Sequence, residues 1–136
     1  MQMTTSPFPT EAEAQVRYGY LRTIGRVSGT EREIEIWFVV DDEKPQRLLL
    51  LSEHQERANW VRNARKQPAV RFRICERIWH GTVSGVADEA LGARIREAVH
   101  AKYRNDLAEP EMSTFITTAL PMVIDLGDVE EHRPAE

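Results

Sequence analysis

Two short alternating runs, joined by a glycine-bounded connection, constrain this chain most. The first is Tyr18-Gly-Tyr-Leu-Arg-Thr-Ile24 and the second is Glu33-Ile-Glu-Ile-Trp-Phe-Val39. A period of two is the mark of a strand, because successive side chains point to opposite faces. The reading is therefore a strand from about Arg17 to Ile24 and another from about Glu31 to Val40. Arg32, Ile34, Ile36, Phe38 and Val40 share one face of the second strand, and Glu33, Glu35, Trp37 and Val39 the other. Between the runs lies Thr23-Ile-Gly-Arg-Val-Ser-Gly29, with an arginine where hairpin turns usually carry Asn, Asp or Gly.

Asp41 to Gln46 reads as a turn, and Arg47-Leu-Leu-Leu-Leu51 as a strand short enough to be covered on both faces. Ser52-Glu-His-Gln55 fits a capping box, in which a serine accepts from the backbone three residues on and a glutamine reaches back. It predicts a helix to about Gln67, with Ala58, Trp60, Val61 and Ala64 inward and Pro68 as its stop. Strands follow from Ala69 to about Glu76 and from about Trp79 to Val86. A helix is predicted from about Asp88 to Tyr103, with Leu91, Ile95, Ala98 and Val99 on its core face. A shorter helical piece lies near Glu111 to Ala119, and a last strand covers Pro121 to Leu126.

Residues 1–15 read as a tail with Pro7 and Pro9, followed by a short helical turn, and the acidic Gly127 to Glu136 as disordered. The domain proper is then 16–126, in the order βββαββααβ. This is a mainly β fold with flanking helices (α+β). Its six antiparallel strands close, or nearly close, a small barrel, because closure removes exposed edges.

Several function classes drop out. No apolar run approaches the ~20 residues of a membrane helix. The N-terminus lacks the basic region and apolar core of a secretory signal. Cys75 has no partner for an internal disulfide, which fits a reducing cytoplasm, and is read as a buried or half-buried bystander, with a reactive thiol as the alternative. His54, His80, His100 and His132 are scattered, with no metal-ligand spacing. Gly81-Thr-Val-Ser-Gly85 lacks the strand-turn-helix setting of a nucleophile elbow. No catalytic triad can be assembled.

Charge is unevenly spread. From Arg17 to Arg77 there are 13 basic against 9 acidic residues, and elsewhere 5 against 13. A positive middle in a chain of net charge −4 suggests a local anion site rather than a nucleic-acid surface, or simply arginines on exposed strand faces. In a 23–32 hairpin, Thr23 sits roughly opposite Arg32, and Arg26 projects above them. Gly25 and Gly29 permit backbone angles that aim amides inward, and Ser28 adds a hydroxyl. The start of the following helix also favours anions. Arg26 is read either as an anion ligand or as a solvated turn residue. Trp37 and Trp60 are either core or cofactor walls, and Asn63 on this reading is a helix-surface amide.

Thr23-x-Gly25-Arg26-x-Ser28-Gly29-x-x-Arg32 resembles the opening motif of the deazaflavin-dependent nitroreductase and quinone reductase family. Ile34-Glu-Ile-Trp-Phe38 is similar to the strand that follows in one branch of it, and Trp60-Val-Arg-Asn63 with Pro68-x-Val70 to its Trp-x-x-Asn helix and the proline after it. Lys102-Tyr103 and Leu120-Pro121 complete a likeness that runs from about Tyr20 to Leu126.

The resemblance implies a split β-barrel related to flavin-binding pyridoxamine-phosphate-oxidase-like proteins. It implies an 8-hydroxy-5-deazaflavin coenzyme that, when reduced, donates a hydride to a small electron-poor acceptor such as a quinone or nitro compound. It places Arg26, Ser28, Gly29 and Arg32 at the phosphate end, Trp37, Ser52 and Trp60 near the ring pocket, and Asn63 as a brace for the helix. Tyr103 matches a tyrosine that assists substrate in some relatives.

Val27 stands where that family commonly has Lys or Arg, and Glu53-His-Gln-Glu56 where a basic Gly-rich loop is common; Arg57 and Arg62 are the compensating candidates. FMN in place of the deazaflavin, a carrier without turnover, and an empty structural dimer remain the alternatives. A homodimer paired through its sheets is expected.

Overall fold

The computed structural model describes residues 6–130. Seven strands form one sheet: β1 (Gly19–Ile24), β2 (Glu31–Ile36), β3 (Val39–Val40), β4 (Arg47–Ser52), β5 (Ala69–Ile74), β6 (Arg77–Gly85) and β7 (Leu120–Val129). Their order is β2-β1-β5-β6-β7-β4-β3, antiparallel throughout. Four helices flank it: α1 (Glu11–Gln15), α2 (Asn59–Lys66), α3 (Glu89–Tyr103) and α4 (Glu111–Thr118).

The extra strand comes from a break in the second alternating run. Phe38 leaves the ladder because α3 takes over its peptide groups. Its N–H donates to the Tyr103 hydroxyl at 3.1 Å. Its carbonyl lies 3.0 Å from that hydroxyl and accepts from Lys102 Nζ at 2.8 Å. The run therefore splits into β2 and β3, which lie at opposite edges of the sheet. Ile36 and Val39 are three residues apart, so these edges approach within about 11 Å. The sheet is thus curled into a barrel that is split at this seam.

Core packing follows the strand alternation. Leu48 and Leu50 of β4 point into the barrel with Leu21, Phe72, Trp79 and Ile124. Leu49 and Leu51 point outward, where α3 and α4 cover them with Ile95, Val99 and Met112. Both faces are therefore buried, as the unbroken leucine run of β4 requires. Asp88 caps α3, its carboxylate accepting from the Ala90 N–H at 2.9 Å.

Four expectations need correction. Ser52 does not cap a helix: it ends β4, paired with Leu120, and its hydroxyl donates to the Gln55 carbonyl at 3.0 Å. The chain makes only a 3-10 turn at Gln55–Arg57 before α2 begins at Asn59. Gly127 to Val129 continue β7, and the Glu130 carboxylate grips Arg71 at 2.8 and 2.9 Å, so these residues are ordered. The rest of that expectation, 131–136, lies outside the described residues. Cys75 is exposed at the β5–β6 turn with φ +54°.

Residues 6–15, ahead of β1, are fastened down. Thr10 and Glu13 form the capping box of α1, and Glu13 pairs with Arg77 at 2.6 Å. Arg77 also donates to the carbonyls of Ser6 and Phe8, and the Trp79 indole N–H to that of Pro7 at 2.7 Å.

Candidate functional site

Two adjoining cavities run between β2 and α2. One, about 540 Å³, is lined by Thr23, Gly25, Arg26, Ser28, Arg32, Asn59 and Asn63 among others. The second, about 350 Å³, is lined chiefly by Ile36, Trp37, Leu51, Ser52, Trp60 and Phe115. Ile34 and Trp60 belong to both, so the two form one cleft.

The polar end is built on the β1–β2 hairpin. Thr23 pairs with Arg32 across it. Gly25 is closely approached: a Cβ there would sit 2.6 Å from Ser28 Oγ and 3.3 Å from the Thr30 carbonyl oxygen, so the Ser28 side chain would have to move. The two glycine amides close the turn on itself. Gly25 N–H donates to the Thr30 carbonyl at 2.7 Å, and Gly29 N–H to that of Gly25 at 2.8 Å. Gly29, at φ +74°, supplies the turn's conformation and lies outside the lining of both cavities.

Arg26 does not project freely. Its N–H and guanidinium both donate to Asn63 Oδ1, at 3.1 and 2.9 Å, and the guanidinium reaches Asn59 Oδ1 at 3.3 Å. Asn63 Nδ2 in turn donates to Thr23 Oγ1 at 3.2 Å, and Lys66 Nζ to the Arg26 carbonyl at 2.8 Å. Asn63 is 5% exposed, so its amide braces the turn rather than the helix surface. Trp60 and Asn63 share one face of α2 because three residues make nearly one turn.

The partners of Arg26 are neutral. Arg22, Arg47, Arg71, Arg77 and Arg94 each pair with a carboxylate, whereas among the described residues no carboxylate lies within 4.0 Å of Arg26 or Arg32. Glu33 lines the same cavity but is taken up by Arg22 at 2.7 Å, so Arg26 and Arg32 have no carboxylate partner among the described residues, and Arg26 is held in place.

The apolar end has a rigid wall. Trp37 stacks on Tyr103 with ring centroids 4.3 Å apart and planes 5° apart, and meets Phe115 edge-on at 5.5 Å. Tyr103 stands behind this wall and not in the cavity. It is fully buried, and its hydroxyl lies 2.8 Å from the Arg17 carbonyl besides its contacts to Phe38. Burial pushes its phenol well above the usual range. Its part is structural, which removes the one candidate for a catalytic side chain. Ser52 lines the cavity with its hydroxyl hydrogen already donated.

Sequence reasoning missed Asn59, which lies one helical turn before Asn63 and was recognisable by that spacing. It also missed Phe115 and Leu107, whose approach to the cleft depends on how α4 docks. Among the described residues no three His, Cys, Asp or Glu side chains gather as a metal site, and no helix is long and apolar enough to cross a membrane.

A curled antiparallel sheet with a cleft that is aromatic at one end and cationic at the other defines a split-barrel protein suited to a flat ring with an anionic extension. Solved structures share the fold. A protein described as an F420 reductase is 21% identical, with a TM-score of 0.67, and the match covers 92% of this chain and 98% of that one. A conserved hypothetical protein from Mycobacterium tuberculosis is 17% identical, with a TM-score of 0.68, covering 99% and 98%. An FAD-binding protein from Mesorhizobium loti is 15% identical, with a TM-score of 0.64, covering 89% and 88%. No curated protein matches the chain. The sequence profile of the F420H(2)-dependent quinone reductase family matches residues 11–126, and the chain belongs to that family. It is accordingly a deazaflavin-dependent oxidoreductase.

Proposed function

We propose that the cleft between β2 and α2 holds the deazaflavin coenzyme with its ring at the Trp37–Trp60 end and its phosphate at Arg26, Ser28 and Arg32. The observation that carries this is the charge arrangement: two arginines without carboxylate partners lie at the end of a cleft whose other end is aromatic. The residues present fit such a group, since each charge-assisted bond from a guanidinium to phosphate is worth about 1.5–3 kcal/mol.

When bound and reduced, the coenzyme supplies a hydride to a small electron-poor acceptor. The chain's own residues position and shield. Asn63 and Asn59 aim Arg26, while Trp37, Trp60 and Phe115 keep water from the ring end. Ile36 and Leu51 add apolar surface beside them. Glu53 lines the apolar cavity and Glu56 pairs with Arg65 at 3.8 Å, so neither faces the phosphate end on this reading.

A cytoplasmic setting is part of the proposal, supported by an exposed thiol without a disulfide partner. So is a homodimer, supported by the unpaired outer edge of β2, where Ile34 and Ile36 are only half-buried. Sedimentation of a monomer would remove the dimer.

The test is a fluorescence titration with the deazaflavin coenzyme and FMN in parallel. Saturable deazaflavin binding, weakened about tenfold or more by Arg26→Ala, is expected. Saturable FMN binding without deazaflavin affinity overturns the reading.

A further inference from the structure

Reduction of a quinone needs a proton as well as a hydride, and the apolar cavity has one polar corner that can deliver it. Ser52, Glu53 and His54 form this corner as the chain leaves β4. The Ser52 hydroxyl hydrogen is donated to the Gln55 carbonyl, and Tyr103 stands behind Trp37. The indoles of Trp37 and Trp60 do not release protons near neutral pH. Glu35, lining the cavity from β2, accepts from the Tyr20 hydroxyl at 3.1 Å. His54 is then the lining side chain whose ring nitrogens can both hold a proton and give one up.

Its surroundings suit that task. His54 Nε2 lies 3.9 Å from the Glu53 carboxylate, beyond hydrogen-bond distance, with both side chains open to water. Glu35 on β2 and Glu53 are the charged side chains that line the cavity with it, and Glu56 and Arg57 follow in the 3-10 turn; Glu31, Arg32 and Glu33 lie further along β2, and Arg104, Asp106, Glu109 and Glu111 on the segments that carry Leu107 and Phe115. Leu107 and Phe115 themselves, which line the same cavity, are uncharged. The His54 side chain is 73% exposed, so water can restore its proton after each turnover.

We infer that His54 is the general acid of acceptor reduction in this chain, an inference that rests on the function proposed above. The acceptor gains a hydride, with its electron pair, from the reduced coenzyme, whose remaining acidic proton goes to water. A quinone so reduced is a hydroquinone monoanion. The N–H bond of the His54 imidazolium breaks, the proton bonds to the anionic oxygen, and the neutral imidazole is reprotonated by water. The assignment belongs to this chain's own Glu53-His-Gln-Glu56 segment and not to the motif around Arg26.

The experiment compares the full chain with His54→Gln and His54→Ala. Deazaflavin affinity is read first, by fluorescence. Single-turnover reduction of a soluble benzoquinone is then followed from pH 5.5 to 9. The wild-type rate is expected to fall toward the alkaline end of this range. His54→Gln should keep coenzyme affinity within about twofold while losing on the order of 100-fold in rate at the acid end, with its alkaline decline abolished. Added imidazole should restore part of the rate to His54→Ala. A His54→Gln variant with the wild-type rate and pH profile overturns the inference, as does one whose affinity falls in step with its rate. A wild-type chain without deazaflavin affinity overturns the proposed function too, so the two failures are distinguishable.

Discussion

One oxygen, Asn63 Oδ1, receives both the backbone N–H and the guanidinium of Arg26, at 3.1 and 2.9 Å. The amide nitrogen of the same residue donates to Thr23 Oγ1. A buried side chain on α2 therefore ties both the tip of the hairpin and its stem. Arginine usually loses much rotamer freedom when it binds an anion; here much of that freedom is already lost in the unliganded turn.

Asn63→Ala should consequently act on two levels. It leaves the Arg26 N–H and the Thr23 hydroxyl without their partner, at a cost of about 1–3 kcal/mol in urea unfolding. It should also weaken deazaflavin binding about as much as Arg26→Ala does, although Asn63 itself is neutral. Binding at wild-type strength in a folded Asn63→Ala would show that the brace is irrelevant to the ligand.

Tyr103→Phe keeps the stack on Trp37 but removes the hydroxyl that serves the Phe38 peptide group. The expected loss is about 1–2 kcal/mol. Amide exchange at Phe38 should accelerate more than exchange in the centre of β5. Tyr103→Ala should cost more, about 3–5 kcal/mol, and should loosen the aromatic wall, visible as altered Trp37 fluorescence.

Arg94 binds Asp41 through two parallel bonds of 2.7 and 3.1 Å, and Asp41 is fully buried. Burial alone would raise the Asp41 carboxyl. The bonds from Arg94 and from the Glu43 N–H outweigh it and hold the carboxyl below the usual carboxylate range. Its stabilising contribution is present at neutral pH and is lost as pH falls through that lowered value. Arg94→Met should destabilise by about 2–3 kcal/mol, less than for a fully enclosed pair because Arg94 is a third exposed. The deficit relative to wild type, measured by thermal melts, should shrink below about pH 4, the ordinary range of an aspartate.

Lys102 reports on alkaline pH with a slope of the same sign, since its folded value is lowered too. It donates to the carbonyls of Ala14 and Phe38, and burial pushes its ammonium down to about 8. Above that value the unfolded chain holds the extra proton, since a free lysine titrates near 10.5. Stability should therefore rise from pH 8 to 9.5. Lys102→Met should be less stable at pH 7 for lack of the two bonds, and should lack this rise. Melting curves of both proteins across that range decide the matter.

What was legible in the chain was what depends on neighbours. Alternation placed Thr23 opposite Arg32, and helical spacing put Trp60 and Asn63 together. The errors arose where distant residues decide. The run through Trp37 and Phe38 has unbroken strand chemistry, and it breaks because Lys102 and Tyr103 bond to Phe38 from 64 and 65 residues away. Ser52 and Gln55 have the letters of a capping box, yet the ladder with β7 claims the serine, and the Gln55 amide donates to the Thr118 carbonyl at 2.8 Å. The turn glycines were located correctly, but their amides close the turn on itself, so the cationic end of the cleft depends on side chains.

The place of β7 between β6 and β4 also sets an order in time. Without it the sheet is two fragments, β2-β1-β5-β6 and β4-β3, with nothing between them. Arg47 and Asp125, paired across the join, are 78 residues apart in the chain. Such distant pairing makes for slow closure. A nascent chain that has already made every cleft-lining residue, through Phe115, still lacks the strand that brings the two halves together. Cofactor capture should therefore wait on the synthesis of residues 120–129, and ligand should protect the finished barrel but not its precursor.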